Sequence, residues 1–304
     1  MYKRQGKYGL GVDIDAISRI RNEFIDRSYR TESSRLGFYE SQANAVYEVE
    51  DWFGEMQGVT YQEHITNLYN AVNELTKNPT STIARSSLIQ NAAAFIDRSE
   101  AIYSGLKDYQ VTLNTEVNNM VEKINSLGQR IYNLNKGIVK VEAAGVERAN
   151  DLRDSRDLAL DELSKYIDID YYETKDGEVI VSAENVPFIT KNDIAKMSVR
   201  EEGTYGLLIP QWEGYQQDVY NFDKQANNAN DTDKGKLKGL LIARGVIEVN
   251  YTDIPVMPER ADYDLTTEQG MAEYNSAMDA YQQKQDYYNK YIEPSAILLS
   301  LIHI

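Results

Sequence analysis

Cysteine is absent from this chain, and that single omission excludes disulfides, thiolate nucleophiles and cysteine-ligated metals together. It suits a protein that passes through several redox compartments. Histidine occurs only at His64 and His303, too few for a histidine-based metal cluster. No apolar run is long enough to cross a bilayer, and no apolar signal region follows Met1. Positive charge is also in deficit. The 48 acidic residues outweigh 32 basic ones, and the net charge of −16 repels phosphate backbones and anionic lipids. Nucleic acid and membrane are therefore not expected partners, and the acidic surface reads as a means to solubility.

Catalytic patterns are lacking too. No serine sits in a G-x-S-x-G elbow. "GLGVD" (Gly9 to Asp13) has glycines, but no strand–turn–helix unit of nucleotide-binding spacing surrounds them. Asp168 and Asp170 share one face of a predicted strand without the further oxygen ligands and glycine of a calcium loop. "NDTDKG" (Asn230 to Gly235) places a lysine where such a loop needs a ligand. The first pair is assigned to a solvated strand face, the second segment to a turn. Chance pairs among so many carboxylates single out no acid–base couple. The expectation is no catalytic residue, no cofactor and no metal.

What is present is a globular composition, 42% hydrophobic, with 23 tyrosines whose rings can pack while their hydroxyls stay wet. Apolar residues recur at helical spacing from Ile14 to Phe53, with Phe24, Leu36, Tyr39, Ala43 and Val46 among them. A second helix is predicted from Tyr61 to Leu75, stopping at Asn78-Pro79. Ser81 or Thr82 is placed to cap a third, Ile83 to Tyr103. Next, Leu106, Tyr109, Leu113, Val117, Met120, Ile124, Leu127, Ile131, Leu134, Ile138 and Val141 step by threes and fours, the seam of a long helix packed along its length. A charged helix capped by Asn150 or Asp151 follows, with Leu152, Leu160, Leu163 and Ile167 inward. Beyond Lys165 the period becomes two, and Lys175-Asp176-Gly177 supplies a hairpin turn before Val179 to Val181. The stretch Glu184 to Asn230 is mixed, with a possible strand at Tyr205 to Ile209 and a short helix or structured loop over Gln211 to Ala229. "GKLKGLLIAR" (Gly235 to Arg244) restores helical pattern, and a final helix runs from about Thr267 to Tyr291.

The expected architecture is mainly α: an elongated antiparallel helical rod with long coiled-coil-like helices and a small β-containing insert. Residues 6–165 form the rod, 166–234 the insert and 235–298 a helical return segment. The ends stand apart. "MYKRQ" (1–5) and "LSLIHI" (299–304) translate the two strands of a transposase sequencing adapter, and both are expected to be foreign.

Three segments resemble the flagellar hook-associated protein 1 family, the hook–filament junction proteins. In "NDLRDSRDLALDELSKYIDI" the resemblance is carried by Asn150, Asp151, Leu152, Asp154, Arg156, Asp157, Leu160, Glu162, Leu163 and Ser164. In "GVDIDAISRIRNEFIDRSYR" it is carried by Gly11, Val12, Ile17, Arg19 and Phe24; in "GKLKGLLIAR" by Gly235, Leu237, Gly239, Leu240 and Arg244. The resemblance implies a non-catalytic structural component, exported to the cell exterior by the flagellar type III apparatus with the help of a chaperone. There it would form a ring of its own copies between hook protein and the second junction protein. The family's terminal axial segments are expected to be missing, so the chain is expected to stay monomeric. Flagellin, the second junction protein, or a non-flagellar helical adhesin or scaffold remains the alternative. The last of these predicts continued heptads and no strand pair after Lys165.

Overall fold

The computed structural model describes residues 22–54, 60–143, 148–203, 206–222, 226–247 and 255–289. Both suspected foreign ends, the Gly9 to Asp13 glycines and the resemblance at Gly11, Val12, Ile17 and Arg19 lie outside them.

One helix organises the rest. α3 (Thr82–Glu142) runs unbroken for 61 residues, about 90 Å at 1.5 Å per residue. It joins two segments that the periodicity separates: Gly105, between Tyr103 and Leu106, costs a helix only about 1 kcal/mol and makes room for the Trp52 ring. Ser81 caps it, its hydroxyl accepting from the Ala84 N–H at 3.2 Å. The predicted seam is buried at Leu106, Leu113, Val117, Met120, Ile124, Leu127, Ile131 and Ile138. Tyr109 and Leu134 are only half-buried, and Val141 is exposed.

Three helices lie antiparallel along α3. α2 (Tyr61–Lys77) begins at an N-cap Thr60 and ends at Asn78, before the proline. Tyr61 stacks on Phe95 at the far end of this hairpin. α1 (Glu23–Gly54) continues the same line, with the Trp52 ring packed against Gly105 and the Trp52 carbonyl accepting from Arg98 at 2.9 Å. α4 (Asn150–Tyr166) returns along the other half of α3, where Lys123 pairs with Glu162 at 2.7 Å.

α1 does not bury the face its large apolar residues suggest. Phe24 is 76% exposed, Leu36 66% and Tyr39 48%. The buried row is Arg30, Ser34, Gly37, Phe38, Ser41, Ala45 and Val49. Small residues win here because two backbones must approach closely. α5 (Lys236–Arg244) crosses this row with Gly239 against the Phe38 carbonyl, while Gly37 abuts the Lys165 carbonyl and Lys236. The Ser41 hydroxyl lies within hydrogen-bond reach of the Gly37 and Lys236 carbonyls, 2.9 and 3.1 Å away. Bulky side chains would hold these helices apart.

Two small antiparallel sheets sit on α3. The first has the order β1 (Ile169–Glu173), β2 (Val179–Ala183), β3 (Val186–Ile189), with Ile169 opposite Ala183 and Glu173 opposite Val179. The hairpin predicted at Lys175 to Gly177 is its β1–β2 turn, with Gly177 at a φ of +82° that a side chain rarely adopts. The second is ordered β4 (Met197–Glu202), β5 (Leu207–Trp212), β6 (Gln217–Asp218). The helix or loop read over Gln211 to Ala229 is thus a strand end, the short β6 and a single 3-10 turn at Asn228–Asn230. Phe188 and Trp212, both fully buried and 5.8 Å apart, join the sheets. Apolar side chains of α3, α4, α5 and both sheets form one continuous core. Last comes α6 (Glu268–Tyr287), capped by Thr267, with only Gly270 buried.

Close helix contact makes Gly239 intolerant of a side chain. Gly239→Ala should lower stability by about 1–3 kcal/mol, the usual cost of overpacking, whereas Gly54→Ala, which meets nothing within 4 Å, should be neutral or slightly stabilising. Urea denaturation of the two variants checks both.

Candidate functional site

Part of the set that carries the family resemblance, Arg156, Asp157, Leu160, Leu163, Gly235, Leu237, Gly239, Leu240 and Arg244, lies at the joints between the helices and the two sheets. α4 starts without the predicted side-chain cap: Asn150 is its first residue and Ala149 the N-cap. Glu142, at the end of α3, does the capping instead. Its Oε1 accepts from the Ala149 N–H at 3.0 Å and from Arg153 Nε at 2.8 Å, and its Oε2 accepts from Arg153 Nη2 at 2.7 Å. The Arg153 hydrogen bonds, with the backbone donor assisting, hold the Glu142 carboxyl down to about 2. Asp151 and Asp154 stay on the exposed side of the first turns.

Arg156 sits one turn further in, 1% exposed. Its guanidinium donates to the Asn135 Oδ1 at 3.1 Å, the Gly177 carbonyl at 2.6 Å and Glu173 Oε2 at 3.0 Å. One side chain of α4 thereby ties α3 to both sides of the β1–β2 turn. Burial lowers its pKa, yet a guanidinium stays charged at any ordinary pH. Asp157 and Asp161 reach the other way, to α1: Arg30 donates to Asp161 Oδ1 at 2.7 Å, lies 3.6 Å from Asp157 and stacks 4.5 Å over the Tyr171 ring. Leu160 and Leu163 are fully buried, and Leu152 packs on Gly137.

A second buried arginine closes the other joint. Arg244, the last residue of α5, is 0% exposed. It donates to Asn114 Oδ1 at 2.7 Å and to the Leu208 carbonyl at 2.8 Å, while its own carbonyl accepts from Gln110 Nε2 at 3.0 Å. Burial pushes its pKa down to about 10. At the front of α5, Gly235 adopts a φ of +86°; its N–H donates to the Ser34 carbonyl and its Cα lies hard against Ile167. Leu237 and Leu240 are buried in the core.

Three asparagines of α3 complete the pattern. Asn135 donates to the Val179 carbonyl at 2.7 Å and accepts from the Val179 N–H at 3.0 Å. Asn125 does the same with Met197, at 2.8 and 2.9 Å. Asn114 donates to the Gly206 carbonyl at 3.0 Å and accepts from the Leu208 N–H at 2.8 Å. Each carboxamide satisfies one donor and one acceptor at a strand terminus. These residues escape a reading of apolar periodicity. One signal was available: Asn135 stands four after Ile131 and three before Ile138, a polar residue in an apolar seam.

Asp168 and Asp170 part company. Asp170 is exposed, 3.4 Å from Arg27, and its carboxylate accepts from the Tyr171 N–H on the outer edge of β1. Asp168 is half-buried, its side chain 38% exposed, beside Lys234 at 3.5 Å, and burial pushes its pKa up. The turn read at Asn230 to Gly235 is present, but Asp233 inside it is 1% exposed, accepting from the Tyr39 hydroxyl at 2.8 Å with Arg35 3.5 Å away.

A groove of about 510 Å³ beside the second sheet carries Arg200, Glu202 and Asp218 on its wall, and these pair with one another, with Arg200 2.6 Å from Glu202 and 2.9 Å from Asp218. Among the described residues no group of three or more His, Asp or Glu is placed to hold a metal, and no helix is long and apolar enough to cross a membrane. Its polar groups are spent on fastening secondary structure.

Fold and joints together define a helical scaffold with a β-sheet lobe riveted to its longest helix. The chain belongs to the family of the flagellar hook-associated protein FlgK helical domain, whose model matches residues 46–275. It is 28% identical over 266 residues to flagellar hook-associated protein 1 of Bacillus subtilis (strain 168), a match covering 84% of this chain and 52% of that protein. The chain thus spans about half the length of this curated relative. The fold is also that of the flagellar hook junction protein FlgK from Burkholderia pseudomallei, with a TM-score of 0.58 and 19% identity over 71% of this chain and 38% of the other.

Asn135 is the residue whose loss should be felt most. Asn135→Leu leaves both Val179 backbone groups and one Arg156 donor buried without a partner, so it should cost about 3–5 kcal/mol. Asn119→Leu, at an exposed position of the same helix, should cost less than about 0.5 kcal/mol. Chemical denaturation distinguishes them.

Proposed function

We propose that this chain is a non-catalytic building block of the bacterial flagellum, serving at the junction between hook and filament. The observation that carries the reading is the family match over residues 46–275. It coincides with the part of the chain in which Arg156, Arg244 and the α3 asparagines lock helices and sheets together. A junction element transmits torque and bending through its body, and buried charge-assisted hydrogen bonds resist shear better than apolar contact alone, since they are directional. The partners follow from that place: further copies of the same protein in a ring, hook protein below and the second junction protein above. An export chaperone would accompany passage through the flagellar type III apparatus to the cell exterior. The domain division carries over, with residues 6–165 as rod, 166–234 as insert and 235–298 as return segment.

Replacement in living cells tests the reading. A chimera in which residues 46–275 substitute for the corresponding segment of a hook-associated protein 1 should restore filaments and swimming to a strain lacking that protein. Cells that keep hooks, secrete the chimera and shed unassembled flagellin would overturn the assignment. An Arg156→Ala chimera should restore markedly less swimming than the parent chimera.

A further inference from the structure

One cluster of ionisable groups serves none of the joints described above. Beneath α5, the carboxylates of Asp168, Glu184 and Asp231 share a space with the ammonium groups of Lys234 and Lys238 and the phenol of Tyr220. Lys234 Nζ lies 2.8 Å from Asp231 and 3.5 Å from Asp168. Lys238 stands over the Tyr220 ring at 5.7 Å. From α1, Arg35 reaches Asp231 at 2.5 Å, while Asp233 turns away to Arg35 and Tyr39.

Backbone geometry holds Glu184 in place. It opens the two-residue turn between β2 and β3, where Glu184 and Asn185 take left-handed φ angles of 46° and 64°. Its N–H donates to the Asp168 carbonyl at 3.1 Å, which extends the β1–β2 ladder by one bond and fixes the Glu184 backbone. Glutamate is a poor choice for such a turn, which favours Asn, Asp and Gly. Its Oε1 is buried without a hydrogen-bond partner, and so is the Tyr220 hydroxyl.

Ionised, Glu184 leaves a buried carboxylate oxygen without a hydrogen-bond partner, while Asp231, 60% exposed, is already paired with Lys234 and Arg35. Protonated, Glu184 carries no charge there and gains a donor. We propose that Glu184 is a proton-operated latch on the joint between the first sheet and α5, closed when the carboxyl holds its proton and weakened when it ionises. This reading does not depend on the flagellar assignment. It makes the stiffness of the β lobe follow the pH of its surroundings.

The electrostatics agree with the geometry. Burial first of all, with Asp168 adding to it and Lys238 and Lys234 opposing, pushes the Glu184 carboxyl up to about 7 from an ordinary 4.5. A raised carboxyl means that, between these values, the folded chain keeps a proton the unfolded chain has released. Stability therefore falls as pH rises through that window and levels off above it. Asp168, also raised by burial, contributes in the same direction. Glu142, held down to about 2, acts only at more acid pH.

Two measurements on the 304-residue chain test the latch. In a carboxyl-carbon NMR titration of the unaltered protein, the Glu184 signal, assigned by its loss in Glu184→Gln, should have its midpoint near 7. In urea, the unaltered protein should unfold at a lower concentration at about pH 8 than at about pH 5.5, and Glu184→Gln should lose most of that difference. Lys238→Met removes an opposing cation and should move the Glu184 midpoint higher still. A Glu184 midpoint at the ordinary value, or a Glu184→Gln variant that keeps the full pH difference, would overturn the proposal.

Discussion

A helix has no backbone hydrogen bonds to lend to a strand. Its N–H and C=O groups are already joined along the axis. Any sheet laid end-on against α3 would therefore bury strand termini with unmet donors and acceptors, each a loss of a few kcal/mol. Asn114, Asn125 and Asn135 remove that obstacle, because a side-chain carboxamide offers the same donor and acceptor as a peptide. They stand 11 and 10 residues apart, about three helical turns each, so they line one side of α3 and receive three strands in succession. The long helix is in this way both core and template for the β lobe.

The two buried arginines extend this principle between helices. Arg156 and Arg244 each bond to one of those asparagines and to the carbonyl of a strand or turn, joining α4 and α5 to the same points on α3. Burying a guanidinium carries a desolvation penalty that apolar packing would avoid. What it contributes is direction: the planar fork accepts only one arrangement of its partners. In the third helical contact the opposite solution appears. α1 and α5 meet through Gly37, Gly239 and the serines, where the absence of side chains brings backbones together. Register is thus set by polar hubs on one side of the bundle and by steric fit on the other.

Such a construction suits a part that bears load. The ionisable residues that a search for catalysis would single out are largely consumed: Glu142 as a helix cap, Asp157 and Asp161 in holding Arg30, and Asp170 on the edge of β1. The strand pair that begins at Ile169 separates this chain from a simple coiled coil, which would have continued its heptads instead. Family membership and architecture agree with the structural role proposed above.

Periodicity made much of this legible. The α3 seam, the proline stop after α2, the Gly177 hairpin, the start of the last helix near Thr267 and the helix from Lys236 to Arg244 all depend on local chemistry that acts over a few residues. The resemblance likewise singled out Arg156, Gly239 and Arg244 before their roles were visible. Only tertiary structure decided which face of α1 is buried, since close approach to Gly239 favours Ser34, Gly37 and Ser41 over the larger Leu36 and Tyr39. It also decided that Asp168 is half-buried in an ion pair, because Lys234, 66 residues on, folds back beside it. Amphipathic pattern reports how much a side chain avoids water; it does not report which distant backbone will need a hydrogen bond or leave no room for a methyl group.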